Sequence, residues 1–109
     1  MIEVILGSKN VERVLIYIYA RGEGYAREIA RFYETDLLPI QKQLDKLEAG
    51  GVLVSREVGK TRPYVFNPRY PFLDELKALL EKALSFYSEK EREEFMMNRP
   101  RPRARGKTL

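Results

Sequence analysis

The side chains best suited to contact another molecule are cations and an amide, gathered on two short segments. Lys42 and Lys46 are four residues apart, which places them on the same side of a helix, and Gln41 adjoins them. Lysine can meet a phosphate or a guanine edge, and glutamine can pair with adenine. Lys60 and Arg62 flank a short glycine-containing loop further along the chain. These residue types predict contact with a polyanion.

Several other kinds of chemistry are excluded by composition. The 109 residues include neither Cys nor His, which removes disulfides, thiolate nucleophiles, imidazole bases and the usual ligands of zinc, copper and haem. The acidic cluster in residues 89–94 alternates with basic side chains, as is typical of a solvated helix end. No phosphate-binding glycine loop or nucleophile motif is present. We therefore expect no enzymatic activity, no cofactor and no metal.

Positive charge is unevenly distributed. Of the 20 basic side chains, five lie in residues 99–109, which contain no acidic residue. The other 15 lie in residues 1–98, together with all 16 acidic side chains. Within residues 55–70, four basic residues stand against Glu57 alone. A near-neutral body with one basic patch and a basic end predicts a polyanionic partner. The sequence has no bilayer-length apolar run and no signal-peptide pattern at its start, so we expect a cytoplasmic protein.

Hydrophobic periodicity predicts two helices in the first third of the chain. The first spans Lys9–Arg21, with Ser8 as its N-cap and Gly22 at its end. The second covers residues 25–34, with an apolar side and an outer side carrying basic residues. Residues 1–6 are too short and apolar for helix and strand to be distinguished.

A third helix is predicted over residues 37–49, with Asp36 as its N-cap and two glycines at its end. Pro39 would be its third residue, where the backbone amide has no partner within the helix. Its buried stripe is predicted to be Ile40, Leu44 and Leu47. The opposite face then carries Leu38, Lys42, Asp45 and Lys46, flanked by Pro39 and Gln41.

Residues 52–58 and 62–66 are rich in β-branched and aromatic side chains and predict two strands joined as a hairpin. Arg56 would lie near the base of this hairpin, and Lys60 and Arg62 near its tip. A protruding β-ribbon with cations at its end can straddle the nucleic-acid backbone or enter the minor groove.

Three helices followed by a hairpin is the order of a winged helix-turn-helix. In helix-turn-helix proteins the second helix of the motif, here the third helix of the chain, lies in the DNA major groove. Arg27 and Arg31, on the outer side of the second helix, are further candidates for phosphate contact. The predicted DNA-contacting residues are Leu38, Pro39, Gln41, Lys42, Lys46, Arg56, Lys60, Arg62, Arg27 and Arg31.

The stretch IQKQLDKLEAGGVLVSREVGKTRPYVFNP resembles the recognition helix and wing of ArsR- and MarR-like winged-helix regulators, over roughly residues 8–70. The shared elements are Leu44, Leu47, Glu48, Gly50, Gly59, Lys60, Arg62, Tyr64 and Phe66. The resemblance implies a DNA-binding regulator of transcription, most simply a repressor. Metal sensing does not follow from it, because ArsR-type sensors bind their effector through Cys and His. The Asn67-Pro68 segment that follows the hairpin is also similar to the corresponding segment of small winged-helix proteins that are fused or adjacent to minimal nucleotidyltransferases.

The last apolar pattern predicts one long helix from about Phe72 to Phe95. This helix carries two apolar stripes, and a small core can cover only one of them. We therefore expect the other stripe to form a homodimer interface. The predicted interface residues are Phe72, Leu73, Leu76, Leu79, Leu80, Ala83, Phe86 and Tyr87. The expected organisation is a DNA-binding domain in residues 1–71, a dimerisation helix in 72–97 and a disordered basic tail in 98–109.

Two other functions fit the same sequence. A winged helix can serve as an adaptor for another protein, for instance a nucleotidyltransferase-type partner, with the last helix as the functional surface. Alternatively, the arginine-rich tail could lead RNA binding. The sequence favours double-stranded DNA because the cations of the third helix and of the hairpin lie on adjoining elements.

Overall fold

The computed structural model describes residues 1–97, and that part of the chain is mainly helical with one two-stranded antiparallel sheet. The predicted α+β class is confirmed. The predicted basic tail, residues 98–109, lies outside the described residues. The elements are α1 (Glu3–Leu6), α2 (Lys9–Arg21), α3 (Ala26–Phe32), α4 (Leu37–Ala49), β1 (Leu53–Ser55), β2 (Tyr64–Phe66), α5 (Leu73–Ser85) and α6 (Glu89–Met97).

Helix α2 is the centre of the fold and has the predicted bounds. The hydroxyl of Ser8 accepts a hydrogen bond from the amide of Val11 at 3.1 Å, which caps the first turn. At the other end Gly22 takes a left-handed φ of 90°, which a residue with a Cβ adopts only with strain. Residues 14–18 are all buried, so α2 contributes side chains to the core on most of its circumference.

Helices α3 and α4 are joined by a short connection at residues 33–36. Helix α3 is shorter than the predicted span because Glu34 takes a left-handed φ of 53° and ends the helical hydrogen bonding. Asp36 is at the N-cap position of α4, as predicted, but its side chain makes no capping hydrogen bond. Ile40 and Leu44 are fully buried and Leu47 is partly buried, so the predicted stripe of α4 does face the core.

The hairpin is formed, with shorter strands than the sequence predicts. Ser55 pairs with Tyr64 at the last regular position of the sheet. Regular pairing ends there because the next residue, Pro63, has no backbone amide hydrogen to donate. Val58 and Thr61 form an isolated bridge with hydrogen bonds of 2.8 and 3.0 Å. The loop at the tip is therefore Gly59-Lys60.

A second bridge joins the hairpin to the loop between α2 and α3. Gly24 and Tyr64 exchange two backbone hydrogen bonds, of 3.0 and 2.8 Å. A Cβ at position 24 would lie 2.9 Å from Cδ1 of Ile29 and 3.1 Å from Cγ1 of Ile18, so any other residue would force these core side chains to shift. The bridge fixes the base of the hairpin to the helical body.

The prediction of one long C-terminal helix is wrong. The chain forms two helices, α5 and α6, separated by residues 86–88. Ser88 and Glu91 make a capping box that starts the second helix. The hydroxyl of Ser88 accepts from the amide of Glu91 at 3.1 Å, and a Glu91 carboxylate oxygen accepts from the amide of Ser88 at 2.8 Å. This Ser-x-x-Glu signal competes with the apolar periodicity that favours a continuous helix.

The break lets α6 turn back onto the core. Phe95 is 3% exposed and its ring lies 4.8 Å from that of Phe32 and 6.4 Å from that of Tyr17, measured between centroids. Two predicted interface residues are corrected by the packing of α5 against α2. Leu80 and Ala83 are buried inside the chain itself, so they cannot meet a partner.

Candidate functional site

The outer face of α4 is open, as the helical geometry predicts. Leu38 is 79% exposed, and Lys42 and Lys46 are also exposed. Within residues 1–97, no other element covers these three side chains. They project from a helix whose opposite side is buried, so their backbone positions are fixed by the core.

Gln41 has hydrogen-bond partners within the chain. It is partly buried, and its amide nitrogen donates to Oδ1 of Asp45 at 3.0 Å and to the hydroxyl of Tyr64 at 3.1 Å. Both amide hydrogens are used within the chain, whereas pairing with adenine requires a free donor beside the acceptor. Gln41 thus links α4 to β2 in this structure, and a contact with a base would require it to give up one of these bonds.

Asp45 is turned toward the hairpin by the same contacts. Besides the bond from Gln41, its Oδ1 lies 3.5 Å from the hydroxyl of Tyr64. Burial raises the pKa of the Tyr64 hydroxyl above its ordinary value, and the charge of Asp45 raises it further, so this hydroxyl stays protonated as a donor. The Asp45 carboxylate on the outer face thus accepts hydrogen bonds from within the chain.

Arg62 is held in place by a chain of hydrogen bonds that begins on α4. The hydroxyl of Ser55 donates to a carboxylate oxygen of Glu48 at 2.7 Å, and the Arg62 guanidinium donates to the Ser55 oxygen at 3.1 Å. Glu57 lies 3.6 Å from the other terminal nitrogen of Arg62. Arg62 remains exposed, so its guanidinium is oriented without being removed from solvent.

Three of the predicted cations converge on one cleft between helices α3 and α4 and the hairpin. Arg27 comes from the first turn of α3, and Lys60 and Arg62 come from the hairpin tip. The cleft has a volume of about 280 Å³ and no acidic residue in its lining. It is lined by Tyr25, Ala26, Arg27, Leu37, Gln41, Lys60, Thr61, Arg62 and Tyr64. An anion entering it would meet three positive charges from two elements.

Two other predicted cations and a proline are not part of this cleft. Arg31 and Arg56 are exposed but do not line it, and Pro39 is only partly accessible. Sequence reasoning missed Tyr25 and Thr61, which line the cleft. Thr61 follows the basic loop directly, whereas the position of Tyr25 depends on the bridge at Gly24, for which the sequence carries no separate signal.

Only a few of the predicted dimer-interface side chains are well exposed in the structure. Phe72 is 63% exposed and Phe86 is 67% exposed. Leu73 and Leu79 are partly exposed, whereas Leu76 and Tyr87 pack against the core from its edge. The residues with coiled-coil spacing that include Leu80 therefore lie on the side of α5 that packs against the core of the same chain.

Comparison with known proteins gives no further guidance: no family model, curated protein or solved structure matches the chain. Within residues 1–97, no three His, Cys, Asp or Glu side chains are grouped so as to hold a metal ion. In the same range no helix has the length and apolar character required to span a membrane.

The link between α4 and the hairpin can be tested by Tyr64→Phe, which removes only the hydroxyl. We expect the free energy of unfolding to fall by about 1 kcal/mol, because the Gln41 amide and the Asp45 carboxylate both lose a partner in a partly buried place. Urea denaturation measures this. Tyr70→Phe is the matched control, and an equal loss in both variants would contradict the role of the Tyr64 hydroxyl.

Proposed function

We propose that this chain is a sequence-specific, double-stranded DNA-binding regulator of transcription with a winged helix-turn-helix fold. Helix α4 would lie in the major groove, and the hairpin would act as the wing on the flanking backbone. The observation that supports this best is the cationic cleft beside the open face of α4. It brings Arg27, Lys60 and Arg62 together where a backbone phosphate would pass.

The structure supports a division of labour between the two surfaces. Lys42 and Lys46 are exposed on α4 and would contact guanine edges, and Leu38 would offer an apolar contact to a thymine methyl group. The wing cations carry no sequence information because phosphates are the same at every step. They supply affinity and fix the register of α4 along the duplex.

The test begins with selection of bound duplexes from a random-sequence pool, followed by titration of the selected and a scrambled duplex. Lys42→Ala is expected to lower the preference for the selected sequence by about tenfold, because a base contact is lost. Lys60→Ala is expected to weaken both duplexes by the same factor. Equal losses on both duplexes from both variants would contradict these roles.

We also propose that the regulator binds as a homodimer through the exposed side of α5, with Phe72 and Phe86 as its main apolar contacts. A twofold dimer would present two copies of α4 to successive major grooves. Light scattering at micromolar concentration should give twice the chain mass for the parent and a monomer for Phe72→Ser with Phe86→Ser. Val58→Ser, an exposed apolar position on the hairpin, is the control. A monomeric parent would contradict the proposal.

The same exposed phenylalanines favour one competing function, an adaptor that binds another protein through α5. A gel shift with duplex DNA, with and without residues 99–109, separates the alternatives. Duplex binding that survives the truncation supports the regulator. Failure to bind any nucleic acid supports the adaptor, and binding that depends wholly on the basic segment supports RNA or non-specific polyanion binding.

A further inference from the structure

A second groove lies away from the cationic cleft, between the end of α3 and helix α6. Its volume is about 790 Å³. Four aromatic side chains line it, namely Phe32, Tyr33, Tyr87 and Phe95. Four carboxylates and a single ammonium group complete the lining, on Glu34, Glu91, Glu93, Glu94 and Lys90. The groove thus combines aromatic rings with a clear excess of negative charge.

This combination suits a guanidinium group. An arginine can stack on an aromatic face through the ring quadrupole while its N–H groups donate to carboxylates at the edge. The rings of this groove already bind guanidinium groups of the chain's own helix α2. Arg13 lies 5.4 Å from the ring centroid of Tyr33, and Arg21 lies 5.7 Å from that of Phe32. The groove offers the partly exposed rings of Phe32, Tyr33 and Tyr87, with carboxylates beside them, to further arginines.

We propose that the groove binds the arginine-rich segment formed by residues 99–107 of the same chain. That segment contains Arg99, Arg101, Arg103, Arg105 and Lys107 and no acidic residue, so its charge is opposite to that of the groove. Bound there, the segment is withheld from nucleic acid, and the acidic side of α6 serves as an internal competitor for polyanions.

Position along the chain favours the same molecule over a second copy. Arg99 follows the end of α6 at Met97 by two residues, and the groove-lining residues of α6 lie within about two turns of that end. A stretch of nine residues can extend about 30 Å, which is more than this return requires. Tethering so close to the site gives the segment a high effective concentration.

The test uses trypsin on the full chain. Cleavage after Arg103 and Arg105, followed by mass spectrometry, reports whether these arginines are accessible. At about 20 mM salt, where charges are weakly screened, the parent should be cut about tenfold more slowly than a variant combining Glu34→Gln, Glu93→Gln and Glu94→Gln. At about 0.5 M salt the two rates should converge.

The matched control combines Glu23→Gln, Glu75→Gln and Glu89→Gln, which removes the same charge from exposed positions outside the groove. It should be cut at the parent's rate. Equal rates for the parent and the groove variant at low salt would overturn the proposal, as would a control cut as fast as the groove variant. Protection that grows with protein concentration would also overturn it, because the segment would then bind a second copy.

Discussion

Replacing both wing cations, Lys60→Ala with Arg62→Ala, is expected to lower the affinity for every duplex by about two orders of magnitude near 0.1 M salt. Each phosphate contact contributes about 0.9 to the slope of log K against log salt, so each lost contact costs nearly a factor of ten at that concentration. The slope itself should fall by about two. Fluorescence-anisotropy titrations over a range of salt concentrations measure both quantities.

The control for this variant is Lys9→Ala with Lys82→Ala, which removes two exposed cations that do not line the cleft. It should leave the slope within experimental error of the parent's. Because Arg62 also bonds to Ser55, urea denaturation of the wing variant has to confirm that the fold is retained. A folded wing variant with the parent's salt slope would mean that these cations do not touch phosphates.

Phe95→Ala is expected to have the largest effect on stability, a loss of about 3–5 kcal/mol in the free energy of unfolding. The ring is almost completely buried and packs among Tyr17, Phe32, Tyr33 and Tyr87 with centroid separations of 4.8–6.5 Å. Removing it leaves a cavity at the place where α6 joins the core. Equilibrium unfolding in urea measures the loss.

Met96→Ala is the control, because this large apolar side chain is 55% exposed at the neighbouring position of α6. Its cost should be below about 1 kcal/mol. One continuous helix from residue 72 to residue 95 would carry the end of that segment away from the core. A Phe95 variant as stable as the Met96 variant would therefore contradict the turn at residues 86–88.

Local signals allowed the first two thirds of the fold to be predicted. The Ser8 cap and the Gly22 stop bracket α2, and the apolar stripe of α4 identifies its buried side. Such features depend on residues within one or two helical turns, so they can be seen in the sequence. The break before α6 was missed because seven-residue apolar spacing continues through it, although the Ser88–Glu91 capping box is local as well.

The candidate site was predicted less completely, since it depends on contacts between distant segments. Exposure of Lys42 and Lys46 follows from helical geometry alone. The use of Gln41 as an internal link follows only from Tyr64, 23 residues further on, which the bridge to Gly24 brings to the same place. The gathering of Arg27 with the wing cations depends on that same bridge and has no signature in the spacing of the residues.

The central claim is that the outer face of α4 touches base edges, and site-directed crosslinking tests it most directly. The chain has no cysteine, so Lys42→Cys introduces a single thiol that can carry a photoactivatable crosslinker. Bound to a duplex selected from a random pool, this variant should crosslink to bases at one defined position, and Lys82→Cys on α5 should not crosslink. Selection that enriches no sequence, or crosslinking from position 82 and not from position 42, would contradict the account.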